Sequence, residues 1–190
     1  MRAWRPSLFE ILKTAIPGVR ELRSAPRPDS RGRFVKTFHA DSFAEHGLAT
    51  GFREQYYSIS NAGVLRGLHF QTPPADHAKL VFCTAGAVLD VALDLRLGSP
   101  AYGRHVALTL SAENTAQIYI PPGCAHGFCV TEGPATLVYA TTTEYAPRLD
   151  AGVLWNSAGI DWPVEAPTLS ERDAGLPSLG DFASPFTFEG

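Results

Sequence analysis

Short runs of strand-forming residues fill the middle of this chain and restrict what it can fold into. From residue 56 onward, β-branched and aromatic residues are concentrated in the segments YYSIS, KLVFC, AVLDVALDL, HVALTL, QIYI and ATLVYAT. The breaks between them contain Gly, Pro or Asn, and they recur at the spacing typical of a sandwich or a small barrel. The sequence therefore predicts an all-β fold made of many short strands.

Helical patterns are confined to two short segments. Residues 7–14 place apolar side chains at helical spacing behind Ser7, a candidate N-cap, and predict a short leading helix. Residues 41–47 combine Ser42 and Glu45 at capping-box spacing with a terminal glycine, which predicts a second. Both helices are expected at the periphery of the β structure.

The size of the chain indicates one domain. A chain of 190 residues with 45% hydrophobic residues is long enough to bury a core of its own. We expect a single domain over residues 1–190, with a β core at about 50–145. The proline-punctuated stretch at about 155–190 is expected to wrap irregularly over that core.

Charge and cysteine content narrow the classes of partner. Lys and Arg together number 16 against 19 acids, for a formal charge of −3, so a nucleic-acid partner is not expected. The three cysteines lack CxxC spacing, which favours neither a disulfide framework nor a thiolate zinc site and fits a reducing compartment. Because no apolar run reaches membrane-spanning length and the N-terminus lacks a secretory apolar region, we expect a cytoplasmic protein with no membrane partner.

Polar side chains capable of chemistry lie close together in three segments. In GVLRGLHFQ at 63–71, Arg66 accompanies His69 and Gln71, which share one face of a strand because side chains alternate with a period of two. His126 follows a Pro-Pro-Gly turn, and Lys79 precedes an apolar strand from which its ammonium can point into a cavity. Taken singly, each has an ordinary explanation, such as a half-exposed strand histidine or a surface lysine.

An imidazole, a phenol and a cation together are suited to proton transfer at a carbon beside a carbonyl. The unperturbed pKa of histidine, about 6.5, makes it a fitting base, and Lys79 or His126 can face the enolate oxygen. Tyr139 and Tyr145 lie six residues apart, on one face of a regular strand, and either can deliver a proton from the opposite side. Asp173 is a candidate carboxylate partner for the base, although no spacing argument alone selects it.

Two other enzyme classes fit the same residues less well. A metal cupin usually carries a His-x-His pair, whereas residues 68–71 read Leu-His-Phe-Gln, so a metal set of His69, His77 and His126 with a carboxylate is the weaker reading. The absence of a GxSxG motif disfavours a serine hydrolase. A noncatalytic sugar-binding module of the same fold is the third alternative.

Several segments, in order along the chain, resemble the dTDP-4-dehydrorhamnose 3,5-epimerase family. They are DSRGRF at 29–34, GVLRGLHFQ at 63–71, KLV at 79–81, VLDVALDLRLGSP at 88–100, IPPGCAHGF at 120–128, the segment from Tyr139 to Tyr145, and LSERDAGLP at 169–177. The match runs from about residue 16 to 180. It implies a cupin-like jelly roll that needs no metal or other cofactor and forms a homodimer, in which the N-terminal third can lend Arg31 and its neighbours to a partner's pocket. The implied substrate is a nucleotide-linked 4-keto-6-deoxyhexose, inverted at C3, at C5 or at both.

The resemblance also implies residue roles. His69 corresponds to the base, Asp173 to its carboxylate partner and Tyr139 to the opposing acid. Lys79 corresponds to the residue beside the 4-keto oxygen and Tyr145 to the aromatic that stacks on the nucleotide base. The further expected substrate contacts are Arg31, Lys36, Glu54, Gln55, Tyr56, Arg66, Gln71, His126, Asp150 and Arg172.

Three departures from the family pattern concern nucleotide recognition. Lys36 stands where an acidic residue is usual, Arg33 replaces an aromatic, and Glu54-Gln55-Tyr56 replaces Gln-Asp-Asn. A lysine can only donate a hydrogen bond, which suits the unprotonated N3 or the O2 of cytosine better than the N3–H of thymine. A single-carbon epimerase acting on a CDP-linked sugar is therefore the alternative, unless Lys36 points to solvent.

Overall fold

Eleven strands and two short helices make up the part of the chain that the computed structural model describes, residues 8–190. The predicted all-β fold with short peripheral helices is confirmed. In chain order the elements are β1 (Phe9–Lys13), β2 (Arg20–Ser24), β3 (Arg27–Asp29), β4 (Gly32–Phe34), α1 (Ala40–Glu45), β5 (Glu54–Ser60), β6 (Leu65–Gln71), β7 (Lys79–Asp94), β8 (His105–Ser111), β9 (Ala116–Ile120), β10 (Cys124–Thr141), β11 (Asp150–Gly152) and α2 (Glu171–Ala174).

Two long strands, β7 and β10, organise the sheet. They pair with each other along most of their length in an antiparallel nine-stranded sheet of order β1-β2-β9-β7-β10-β6-β11, with β8 on β7 and β5 on β10. The first half of β7 pairs with β9 and its second half with β8, while β10 pairs first with β6 and then with β5. Each long strand therefore links the strands that pair with its first half to those that pair with its second half. The β3–β4 hairpin forms a separate two-stranded sheet.

The register between β7 and β10 changes near the middle of the two strands. Gly86 adopts a φ of +70°, and a Cβ there would lie 2.3 Å from the carbonyl oxygen of Glu132. Opposite it, the pairing of β10 with β7 shifts between Val130 and Leu137. Because a glycine tolerates both the positive φ and the close approach, the strands bend here. Their inward side chains, including Val81 and Phe128, form an apolar core.

The predicted leading helix at 7–14 is wrong. Residues Phe9–Lys13 form strand β1, which pairs with β2, and β2 pairs in turn with β9; Ser7 lies outside the described residues. A helix of two turns is marginal on its own, so pairing with an existing sheet prevails over local spacing. The sheet consequently extends beyond the expected 50–145 at both ends, since β11 lies at 150–152.

The predicted second helix is confirmed as α1, with one difference at its start. Its N-cap is His39, whose ring nitrogen accepts from the backbone N–H of Ser42, so Ser42 is not the cap. Residues 155–190 contain the single turn of α2 and otherwise irregular backbone. Phe182 and Phe186 of this stretch pack on Phe70 of β6. No helix in residues 8–190 has the length and apolarity needed to cross a membrane.

Candidate active site

A cavity of about 420 Å³ opens between β5, β6, β7 and β10, a size suited to a small-molecule ligand. Eleven of the residues predicted to form the site line it: Glu54, Tyr56, Arg66, His69, Gln71, Lys79, His126, Tyr139, Tyr145, Asp150 and Arg172. Asp173 lies behind His69. Arg31, Lys36 and Gln55 are not among the lining residues.

His69 and Asp173 form a hydrogen-bonded pair. The helix α2 carries Asp173, whose backbone N–H donates to the N-cap Ser170, and one carboxylate oxygen lies 2.7 Å from Nε2 of His69. The other accepts from the backbone N–H of Gly67 at 3.2 Å. Burial raises the pKa of Asp173, but the hydrogen bonds from His69 and from Gly67 outweigh it and hold that pKa below its ordinary value. The ionised carboxylate therefore keeps a proton on Nε2 and leaves the lone pair of Nδ1 as the basic atom.

A second histidine–carboxylate pair stands beside the first. His126 lies opposite His69 in the pairing of β10 with β6, and its Nε2 is 2.9 and 3.0 Å from the two carboxylate oxygens of Asp90. Asp90 is fully buried, and burial raises its pKa. Sequence reasoning missed Asp90, although an acid within the apolar strand segment AVLDVALDL is a signal for a buried, partnered carboxylate.

Tyr139 reaches the same cavity from the second half of β10. It stands opposite Tyr56 of β5, with the two rings stacked at 4.8 Å, and its ring centroid lies 6.0 Å from that of His126. The hydroxyl groups of Tyr139 and Ser58 are 3.0 Å apart. Burial raises the pKa of Tyr139 well above its ordinary value, so the phenol holds its proton at neutral pH and can act as an acid.

Lys79 supplies a buried cation next to His69. It begins β7, and its Nζ donates to the backbone carbonyl of His69 at 3.3 Å. Burial lowers the pKa of Lys79 to about 8, while the carboxylates of Asp150 and Asp90 partly offset that effect. The ammonium form is therefore present at neutral pH in a position to meet negative charge on a ligand.

Tyr145 lines the cavity, as the resemblance implies, but it does so from a loop and not from a continued regular strand. Strand β10 ends at Thr141, so Tyr145 lies in the following loop and shares no strand face with Tyr139. Its hydroxyl donates to Asp150 at 3.2 Å, and Arg172 forms an ion pair with the same carboxylate at 2.9 Å. Loop closure, which strand periodicity does not describe, brings this ring to the cavity.

The residues considered as metal ligands are not assembled for that purpose. His69 and His126 each direct Nε2 at a carboxylate, and Nδ1 of His77 lies 3.0 Å from Oγ1 of Thr143. Burial lowers the pKa of His77 to about 3, and its Nε2 has no hydrogen-bond partner within residues 8–190. In that part of the chain no group of three or more His, Cys, Asp and Glu side chains is placed to hold a metal ion.

Three predicted contacts lie away from the cavity of their own chain. Arg31, in the β3–β4 turn, is 86% exposed and forms an ion pair with Asp29. Lys36 follows that hairpin, and its carbonyl accepts from Ser24. Gln55 alternates with Glu54 and Tyr56, which line the cavity, so it faces the other side of β5. The expectation that these three complete the site is not met within one chain.

Comparisons with known proteins agree on one family. The family model for dTDP-4-dehydrorhamnose 3,5-epimerase matches residues 13–181. The Shigella flexneri dTDP-4-dehydrorhamnose 3,5-epimerase is 43% identical over 168 residues, covering 87% of this chain and 93% of that protein. The Legionella pneumophila 3,5-epimerase, solved with dTDP-4-keto-L-rhamnose, is 36% identical with a TM-score of 0.91, covering 96% of this chain and 100% of that one.

A relative that is a monoepimerase, and not a 3,5-epimerase, has the same fold. ChmJ, a 3'-monoepimerase from Streptomyces bikiniensis solved with dTDP-quinovose, is 33% identical with a TM-score of 0.85, covering 89% of this chain and 87% of that one. These likenesses confirm the predicted cupin-like jelly roll.

Proposed function

Because the chain belongs to the dTDP-4-dehydrorhamnose 3,5-epimerase family, we propose that it inverts C3 and C5 of a dTDP-linked 4-keto-6-deoxyhexose. The observation that carries this proposal is that the His69–Asp173 pair and the phenol of Tyr139 share one cavity with a buried lysine. A binding module has no need of an acid and a base around the same space.

The site residues have separate tasks in this reaction. Nδ1 of His69 takes the proton from the carbon beside the ketone, and the C–H electron pair moves into an enolate whose oxygen meets the ammonium of Lys79. Asp173 stabilises the resulting imidazolium. Tyr139 then donates its proton to the opposite face of the same carbon, after which solvent restores both side chains. Because C3 and C5 both neighbour the C4 ketone, one acid–base pair serves each carbon in turn.

The acid–base pair by itself does not set the number of carbons inverted. A ChmJ double mutant replaces a histidine with asparagine and a tyrosine with phenylalanine seventy residues apart, the same separation as between His69 and Tyr139. This chain therefore shares the fold and this spacing with a 3'-monoepimerase, and it shares the fold with 3,5-epimerases as well. The choice of two carbons rests on the 3,5-epimerases to which the chain is 43% and 42% identical.

The preference for dTDP follows the same relatives. The contrary argument for CDP depends on Lys36, which does not line the cavity of its own chain. Pyrimidine recognition then falls to the groups around Tyr145. CDP remains the nucleotide that competes with dTDP in this assignment.

Proton NMR in D2O with dTDP- and CDP-4-keto-6-deoxyglucose side by side tests these proposals. We expect deuterium at C3 and C5 of the dTDP sugar together with inverted product, and no exchange in His69→Asn. His105→Asn, which alters a histidine on β8 outside the cavity, is the matched control. Exchange at one carbon would make the chain a monoepimerase, and faster turnover of the CDP sugar would overturn the nucleotide assignment. No exchange with either sugar would overturn the function.

We also propose a cytoplasmic homodimer. Along the outer side of β5, Tyr57 and Ile59 are 67% and 61% exposed, an apolar surface that a second copy would cover. Phe34 of β4 is likewise 63% exposed. Arg31, outside its own cavity, is then available to the partner. Three buried free thiols fit a reducing compartment. Analytical ultracentrifugation should give a dimer that Tyr57→Glu weakens, and a monomeric wild type would refute this state.

A further inference from the structure

Tyr145 is an exposed residue on a loop, yet hydrogen bonds hold both its backbone N–H and its hydroxyl. The side chain is 60% exposed and lies beyond the last residue of β10. Its backbone N–H donates to the carboxylate of Glu54 at 2.7 Å, and its hydroxyl donates to Asp150 at 3.2 Å. Contacts from β5 and from β11 thus fix the direction of a ring that a loop would otherwise leave free.

Gln71 fixes the residues on either side of this ring. Its side chain is buried, and its amide nitrogen donates to the carbonyls of Ala75 at 2.8 Å and Glu144 at 3.2 Å. Its amide oxygen accepts from the backbone N–H of Ala146 at 2.6 Å. Both amide protons and the carbonyl are therefore occupied by the chain itself, so binding a substrate directly would break bonds that Gln71 already makes.

A second link joins the same two loops. The hydroxyl of Thr143 donates to the carbonyl of Ala75 at 2.8 Å and lies 3.0 Å from Nδ1 of His77. Residues 72–78 and 142–149 are thereby tied to each other as well as to Gln71. The loop that carries Tyr145 is braced by side chains from three strands and by its neighbouring loop.

We infer that Gln71 and Glu54 are positioning residues that hold Tyr145 as a preformed platform for the nucleotide base, an inference that rests on the proposed function. A ring held in its binding orientation loses less conformational freedom when the ligand stacks on it, which increases affinity. Both residues were expected to contact the substrate, whereas their hydrogen bonds place their effect in the loop. Their loss should therefore act on nucleotide affinity more than on the proton transfer at His69.

The first test is Gln71→Met, with dTDP affinity measured by calorimetry. The variant keeps the length of the side chain and removes every bond it makes to the two loops. We expect dTDP binding to weaken by roughly tenfold, within the range that base stacking supplies, and KM to rise more than kcat falls. Gln117→Met is the matched control because Gln117 is equally buried but bonds to Ser24 outside the cavity. A fall in kcat with unchanged dTDP affinity would overturn the inference.

A double-mutant cycle with Tyr145→Ala decides whether Gln71 acts through the ring. We expect the double variant to bind dTDP about as weakly as Tyr145→Ala alone, since the ring being positioned is already gone. Losses that multiply would overturn the inference, as would a Tyr145→Ala variant that binds dTDP like the wild type. A wild type that fails to bind dTDP would instead refute the proposed function.

The Glu54 variants keep the inference testable if Gln71→Met does not fold. Glu54→Gln retains an oxygen that can accept from the N–H of Tyr145, whereas Glu54→Ala removes it. We expect weakened dTDP binding in Glu54→Ala and near wild-type binding in Glu54→Gln. Equal weakening in both variants would show that the charge of Glu54 matters and would overturn the positioning role.

Discussion

Replacing Asp173 with asparagine should disable the base without changing the shape of the site. The carboxylate oxygen 2.7 Å from Nε2 of His69 holds a proton on that nitrogen, and the second oxygen accepts from Gly67. In Asp173→Asn the amide oxygen can still accept from Gly67, which turns the amide NH2 toward His69. Nε2 must then accept, so the ring proton moves to Nδ1, the atom that has to take the substrate proton.

The size of the effect follows from two separate losses. An uncharged amide no longer stabilises the imidazolium, and a hydrogen bond to a charged group contributes about 1.5–3 kcal/mol, or roughly 10- to 150-fold in rate. The wrong tautomer adds to this, because the same substitution in a serine protease triad lowers kcat by about 10⁴. We therefore expect exchange to slow by about 10²–10⁴.

The assay is deuterium incorporation at C3 and C5 at neutral pH, with dTDP affinity as the check that the fold persists. Asp181→Asn, which changes an exposed carboxylate bonded to Ser178, should exchange at the wild-type rate. The lowered pKa of Asp173 means that its ionised form stabilises the fold above the ordinary carboxyl range and stops doing so as pH falls through that lowered pKa. The stability difference between variant and wild type should shrink in acid. A loss of exchange below about tenfold would refute the tautomer argument.

Three further predictions concern the acid, the cation and the fold. Tyr139→Phe should retain exchange while inversion falls by about 10² or more in product NMR, and normal inversion would exclude Tyr139 as the acid. Since the pKa of Lys79 is about 8, kcat/KM should decline as pH rises through that value and the ammonium loses its proton. Lys79→Met should lack this decline, and a wild-type profile that stays flat above pH 8 would exclude the role. Asp94→Ala leaves the buried guanidinium of Arg96 without its carboxylate, so we expect a loss of about 3–5 kcal/mol and a Tm lower by roughly 6–20 °C in calorimetry. An unchanged Tm would contradict it.

The local sequence pattern predicted the strands correctly and the first helix wrongly, and both results have the same cause. A period of two over a run such as HVALTL describes how each residue faces a sheet, and β8 forms there as expected. Residues 7–14 carry helical spacing over barely two turns, a weak preference that the pairing of Phe9–Lys13 with β2 overrides. Spacing describes what a segment prefers alone, and an edge strand forms only because a neighbour is present.

The same division applies to the site. The sequence indicated His69, Tyr139 and Lys79 because their residue types suit proton transfer and their strands place them on inward faces. It offered no means to see that Asp90 lies behind His126, or that the hydrogen-bonding groups of Gln71 are occupied by two loops. The prediction that Arg31 is lent to a partner's pocket is one that the structure of a single chain does not test.

By itself, then, the sequence determined the all-β class through the alternation of strands, while residue types and the family resemblance together indicated the kind of chemistry and most of the side chains that line the cavity. The hydrogen-bond partners of these side chains were decided by the tertiary structure alone. A 2.7 Å hydrogen bond joins His69 to Asp173, 104 positions further along the chain, and the loop of Tyr145 is fixed by side chains from β5, β6 and β11. Such contacts arise from strand register and loop closure, which involve segments far apart in the chain and leave no periodic trace in either one.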